Sequence, residues 1–156
     1  MATQKAKSAL HILGSGSIGM LWASSIRSFD PSYPVTMILR SHRKHQIDAT
    51  GMMKIALCHA NSEEGDARFA DASLIPVAAV ASEADEQSEA ALQKKSVRNV
   101  IITAKANHAV MAVKQHMNCL HPQCKIVLMC NGALSVRDDL RKVLDEATIS
   151  KESKEK

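Results

Sequence analysis

Ala9-Leu10-His11-Ile12-Leu13-Gly14-Ser15-Gly16-Ser17-Ile18-Gly19-Met20-Leu21-Trp22 is the stretch that decides how this sequence folds. Ala9 to Gly14 is a short apolar run ending in glycine, after which Ile18, Leu21, Trp22, Ile26 and Phe29 recur at helical spacing. The expected order is strand, tight turn, helix. Pro31 and Pro34 end that helix, and Val35 to Leu39 forms an uncharged second strand. Together Ala9 to Leu39 make a unit of about thirty residues, the length of a right-handed βαβ crossover.

Within that unit Gly14, Ser15, Gly16, Ser17, Ile18 and Gly19 spell GxGxxG, placed after a strand and at the start of a helix. Each glycine has a separate physical reason. Gly14 permits the tight turn, Gly16 removes a side chain where a pyrophosphate would approach the backbone, and Gly19 lets the helix pack close to the strand. Free amides at the helix N-terminus then favour an anion. The plainer alternative is a glycine-rich turn with no ligand. At the end of the second strand, where an acid would bind the ribose hydroxyls of NAD, the chain has Arg40, followed by Ser41, His42, Arg43 and Lys44 without any acid. A guanidinium there suits the 2′-phosphate of NADP, so the expected cofactor is NADP(H).

Further along, Ser41 can cap a short helix through Asp48 that ends at Gly51, and Met52 to Cys58 looks extended. Asn61 to Ser73 is acidic and rich in small residues, Leu74 to Ala81 is a plausible strand, and Ser82 to Ser96 is charged with weak helical character. From Val97 the pattern sharpens. Val100 to Thr103 is a buried-type strand, Asn107 can cap a helix with an apolar stripe at Val110, Val113, Met117 and Leu120, and Lys125 to Met129 is the next strand. Ser135 and Asp138 make a capping-box pattern for a helix whose core face is Val136, Leu140, Val143 and Leu144. Strands that alternate with helices, each a continuous apolar run, predict a doubly wound, mainly parallel α/β sheet covered on both faces. Residues 1–149 form one dinucleotide-binding domain, and Ser150 to Lys156, which has no apolar side chain, is expected to be a frayed tail.

Composition narrows the function classes. Apolar residues make up 46% of the 156 and charged residues 23%, which is globular, and the formal charge of +4 suits a phosphorylated small molecule as well as nucleic acid. Trp22, Phe29, Tyr33 and Phe69 are too scattered for a base-stacking platform, so nucleic acid is not expected as a partner. Ser8 to Ile26 lacks charge, but its serines, glycines and His11 make it too polar for a membrane span. With no targeting peptide expected ahead of Ala9, the location is read as cytoplasmic and the four cysteines as reduced thiols.

Lys105 lies just beyond one strand and Asn131 just beyond the next, both on the edge where ligands of open α/β sheets bind, so they are expected to converge on one cleft. A lysine there can hold a carboxylate or the nicotinamide end of a cofactor, and an asparagine amide can bond a hydroxyl. The bland alternatives are an exposed lysine and an ordinary Asn-Gly turn. His116, Cys119, His121 and Cys124 are dense enough to suggest zinc, but four ligands within nine residues would need the chain to fold back on itself, so no metal is expected. Cys130 is read as a small space-filling hydrophobe, and Met52, Met53, Met111 and Met117 as dispersed core filler.

Gly14 to Gly19 followed by Met20-Leu21-Trp22, then Leu39-Arg40, then Thr103-Ala104-Lys105-Ala106, then Asn131-Gly132 resembles ketopantoate reductase (2-dehydropantoate 2-reductase) in both order and spacing, over about Ala9 to Leu134. The resemblance implies a Rossmann-type fold and NADPH-dependent reduction of 2-dehydropantoate, a 2-keto acid, on the route to pantothenate and coenzyme A. It implies that Gly14, Ser15, Gly16, Ser17, Ile18 and Gly19 hold the pyrophosphate and Arg40 the 2′-phosphate. Lys105 and Asn131 would be the catalytic pair, touching cofactor and substrate. Cys130 before Asn131, and Ala133-Leu134 after Gly132, depart from the family's usual loop. Family members also continue into an all-helical domain that supplies a lysine general acid. This chain is therefore expected to be the cofactor-binding part, paired with a separate helical domain or a second copy, or else a nucleotide-binding module without turnover. A metal-linked interaction domain at His116 to Cys124 is the third class.

Overall fold

The computed structural model describes residues 8–58, 72–82 and 96–152. The chain runs β1 (Leu10–Leu13), α1 (Ser17–Phe29), β2 (Val35–Arg40), a 3₁₀ turn (Ser41–Gln46), β3 (Met52–Cys58), β4 (Ala72–Ser82), β5 (Val97–Ile102), α2 (Ala106–Gln115), a 3₁₀ turn (Met117–Cys119), β6 (Leu120–Leu128) and α3 (Ala133–Glu152). The strands form one sheet in the order β3-β4-β2-β1-β5-β6. Every pairing is parallel except β3 with β4. This is the expected mainly parallel, doubly wound α/β sheet.

Two apolar layers hold it. Ile12, Met37, Leu39 and Val77 pack beneath α1, while on the other face Leu13, Ile38 and Ile102 pack against Val113 of α2 and Val136 and Leu140 of α3. Neighbouring strand residues alternate between the layers because a strand sends successive side chains to opposite faces. The helical spacing of Ile18, Leu21, Trp22, Ile26 and Phe29 predicts an apolar face for α1; Ile26 packs partly buried against the core, but the structure corrects the reading at Ile18, Leu21, Trp22 and Phe29. Those four are exposed, and the buried residues are Gly19, Ala23 and Ser24. Ser24 spends its hydroxyl inside the helix, donating to the Met20 carbonyl at 2.8 Å and to that of Leu21 at 3.1 Å. Arg27 closes the helix end by donating from Nη1 to the carbonyl oxygens of Pro31 and Tyr33.

Several boundaries also differ from the sequence reading. The helix expected from Ser41 to Asp48 is a 3₁₀ turn over Ser41–Gln46, preceded by Arg40 with no side-chain cap. It stops because Asp48 competes for the backbone: its Oδ1 accepts from the Thr50 amide at 2.9 Å, the Thr50 hydroxyl at 2.6 Å and the Met52 amide at 3.1 Å. α2 begins at Ala106 with Lys105, not Asn107, at the cap position, and it ends at Gln115. Met117 and Leu120 therefore fall beyond the helix, in the 3₁₀ turn and at the start of β6. β6 begins five residues before the expected Lys125 and contains Pro122, which an edge strand with an interrupted register tolerates.

α3 begins two residues before Ser135, because the Gly132 carbonyl already accepts from the Val136 amide at 3.2 Å and Gly132 supplies the turn at φ 74°. The helix continues to Glu152, three residues into the expected tail. The acidic stretch at 61–73 and the charged stretch at 82–96 lie largely outside the described residues, so those expectations stand where they were.

Candidate functional site

Parallel pairing sends the carboxyl ends of β1, β2, β5 and β6 to one edge of the sheet. Connections from β1 lead to β2 on one side, while β5 pairs with β1 on the other. That is a topological switch point, where ligands of open α/β sheets bind. A cavity of about 580 Å³ opens there, within the size range of small-molecule sites. Gly14, Ser15 and Gly16 form one wall, Arg40, His42 and Arg43 a second, and Thr103, Ala104 and Lys105 a third. No acidic side chain lines it among the described residues.

The glycines do different things, and the structure separates them. Gly14 has φ 122°, and a Cβ on it would lie 2.8 Å from the Ala104 amide nitrogen and from Thr103 Oγ1. At Gly19 an added Cβ would come within 2.0 Å of the Gly14 carbonyl oxygen, so α1 touches the turn backbone directly. Gly16 differs from both: an added Cβ would meet nothing within 4 Å. The open space at Gly16 therefore faces outward from the turn, where a ligand would approach.

The turn's polar groups are sorted in the same direction. Thr103 Oγ1 donates to the Gly14 carbonyl at 3.0 Å, and Arg43 Nη1 donates to the Ser15 carbonyl at 2.7 Å. The first helical bond of α1 runs from the Met20 amide to the Gly16 carbonyl at 3.0 Å. Amides of Ser17, Ile18 and Gly19 therefore have no intrahelical acceptor, and Gly16 offers no side-chain cap. Donors are thus left at the helix N-terminus and acceptors are held back, which suits an anion.

Of the residues singled out from sequence, the cavity gathers Gly14, Ser15, Gly16, Arg40 and Lys105. Ser17, Ile18 and Gly19 form the first turn of α1 beside it. Asn131 stands exposed on the same edge after β6, but it is not part of the cavity wall, so the expected convergence of Lys105 with Asn131 is not seen there. Sequence reasoning missed the wall contributed by α2: His108, Met111, Ala112 and Gln115, ending at His116. Spacing of three to four residues from Lys105 along one helix was the signal available. His116 is buried, with Nε2 lacking a partner among the described residues, and burial lowers its pKa.

The suspected zinc cluster is not assembled. Among the described residues no three His, Cys, Asp or Glu side chains lie close enough to hold a metal. Cys119 and Cys124 pack against the α2–α3 core, where burial raises the Cys124 pKa, and His121 Nδ1 accepts from the Gln123 amide at 3.0 Å. His121 and Pro122 belong to β6 rather than to a connector. Nor is any described helix long and apolar enough to cross a membrane.

Comparison with known proteins adds three findings. The family model described as ketopantoate reductase PanE/ApbA matches residues 10–151. A solved structure of a dimeric ketopantoate reductase from Staphylococcus aureus is 16% identical, with a TM-score of 0.44, covering 79% of this chain and 36% of that one. This chain thus spans little more than a third of that relative's length. No curated protein matches the sequence.

Proposed function

The chain belongs to the ketopantoate reductase family, and on that premise we propose that residues 1–149 are a domain that binds NADPH for the reduction of 2-dehydropantoate to pantoate. The observation that carries this reading is the cavity at the switch point, where the unobstructed space at Gly16 adjoins Arg40, Arg43 and Lys105 with no acid in the described wall. That cradle fits a dinucleotide. Its pyrophosphate would lie over the amides of Ser17, Ile18 and Gly19, and its 2′-phosphate beside Arg40. An acid in Arg40's place would repel that phosphate, and none is present in the wall.

When bound, NADPH supplies the hydride that reduces the ketone. The chain's own residues orient the partners. Lys105, exposed at the cap of α2, would place its ammonium beside the keto acid or the nicotinamide end, where it holds negative charge. Asn131, on the next strand end, would contact a substrate lying across the edge outside the cavity wall. The setting is cytoplasmic, and the partner that completes the cleft is a helical domain or a second copy.

Calorimetric titration with NADPH and NADH tests the cofactor, and NADPH consumption with 2-dehydropantoate tests the reaction. NADPH should bind more tightly, and Arg40→Ala should remove roughly 1.5–3 kcal/mol of that preference through a lost charge-assisted bond. Equal affinities for the two cofactors in the unmutated chain would refute the 2′-phosphate assignment. Binding without turnover would support the alternative instead, a catalytically inactive NADP(H)-binding module.

A further inference from the structure

Arg40 and Arg43 are three residues apart across the start of a 3₁₀ turn. Arg40 is the last residue of β2, with extended backbone at φ −70° and ψ 149°, whereas Arg43 lies within the turn, and both line the cavity. Their surroundings differ. Arg40 is exposed and continues β2 toward solvent, as are His42, Lys44 and His45 in the turn itself. Arg43 is the half-buried cation of this basic turn, and its Nη1 reaches across 28 positions of sequence to the Ser15 carbonyl at 2.7 Å. Ser15 is itself buried, at 8% exposure.

We propose that Arg43 is a positioning residue for the phosphate-binding turn, serving every nucleotide that has a pyrophosphate, while Arg40 alone distinguishes cofactors by their 2′-phosphate. This rests on the dinucleotide reading above and assigns within it a second, separable role. Three bonds fix the turn from its two flanks: the Gly14 amide donates to the Ile38 carbonyl at 3.4 Å, Thr103 Oγ1 donates to the Gly14 carbonyl, and Arg43 donates to the Ser15 carbonyl. The Arg43 bond is the one formed by a charged group, and a carbonyl oxygen beside a bound phosphate would otherwise repel it. Holding the Ser15 carbonyl on a guanidinium both turns its dipole away from the anion and leaves positive charge next to the amides of Ser17 to Gly19. A guanidinium has five N–H donors, so one spent on Ser15 leaves others for a phosphate oxygen.

The test compares Arg43→Ala with Arg40→Ala, titrating each with NADPH and with NADH. Arg43→Ala should weaken both by the same factor, about tenfold, with the NADPH-to-NADH ratio unchanged; Arg40→Ala should collapse the ratio and leave NADH affinity alone. Arg43→Lys, which keeps the charge but not the planar fork, should recover part of the loss for both cofactors. A loss confined to NADPH, or no loss, overturns the proposal.

A second measurement needs no nucleotide. Hydrogen exchange of the ligand-free protein should quicken at the hydrogen-bonded amides that flank the turn, Gly14 and Met20, in Arg43→Ala while the β5 amides keep their protection, and unchanged exchange at those two amides also overturns the proposal. If the unmutated chain binds neither dinucleotide, the dinucleotide reading fails and the nucleotide role of Arg43 fails with it. The exchange comparison then decides separately whether Arg43 holds the turn.

Discussion

The two faces of the sheet are covered by helices built on opposite rules. Under α2 and α3 the inward positions are Val113, Val136 and Leu140, and the outward positions of α3 include Arg137, Asp138, Asp139 and Lys142. α1 is inverted: Gly19, Ala23 and Ser24 face in, and Ile18, Leu21, Trp22 and Phe29 face out. The cause is the turn that precedes α1. Gly19 must lie against the Gly14 carbonyl, so a helix pressed onto backbone at its first turn has room at that contact only for a small residue, while Met20 and Ile26 pack partly buried against the core around it. The glycine turn, rather than the hydrophobic pattern, sets the rotation of α1. On the other face the inward positions are large and apolar, although Met111 of α2 and Leu134 of α3 stay exposed.

Truncating one leucine on each face puts that difference to its strongest test. Leu140 is 4% exposed and Leu21 56%. Leu140→Ala should cost about 4 kcal/mol of unfolding free energy in urea, within the range for buried leucines, because the site lies inside a packed layer. Leu21→Ala should stay within about 0.5 kcal/mol. Equal losses would mean that α1 buries its large residues after all.

A pair of glycines sharpens the same contrast within α1. Gly19→Ala drives a methyl into backbone at the helix–turn contact and should cost about 3 kcal/mol, at the upper end of ordinary overpacking. Gly16→Ala meets nothing, and at φ −76° an alanine is unstrained, so stability should change by no more than about 0.5 kcal/mol. Its effect should appear instead as weaker NADPH binding by calorimetry, since the new methyl occupies the space a pyrophosphate would enter. Loss of stability at Gly16 with binding intact would reverse the assignment of the two glycines.

How far the sequence could be read follows the same division. The βαβ unit was legible because glycine and proline positions are local signals: Gly14 marked the turn, and Pro31 and Pro34 marked the end of α1. β5 and α3's core face were legible because burial there follows periodicity. Periodicity misled in α1, where a backbone contact between Gly14 and Gly19 outranked it. Starts of helices were misplaced where a polar side chain suggested a cap that the backbone did not use, at Asn107 and at Ser135. The wall of the cavity along α2 and the bond from Arg43 to Ser15 join elements distant in sequence, and no local pattern announces such contacts.

The smallest expected effect comes from two imidazoles, and it too separates the faces. His11 shares its side of β1 with Leu13, which belongs to the α2–α3 layer, and His116 follows α2. Both are buried, with His11 Nδ1 and His116 Nε2 unpartnered among the described residues. Burial lowers both pKa values, opposed at His11 by a hydrogen bond to the Asn99 backbone. Above the unfolded value of about 6.5 the imidazoles are neutral in both states and pH has no leverage through them. As pH falls through 6.5 the unfolded chain takes up protons that the folded chain refuses, so stability declines until the lowered folded pKa values are reached. Urea midpoints measured from pH 7.5 to 5.5 should therefore fall, at no more than about 1.4 kcal/mol per pH unit for each withheld proton. His116→Leu should flatten the slope without changing its sign, because His11 continues to act. An undiminished slope in that variant would show that His116 ionises as freely in the folded chain as in the unfolded one, and would leave His11 as the buried imidazole that carries the acid sensitivity.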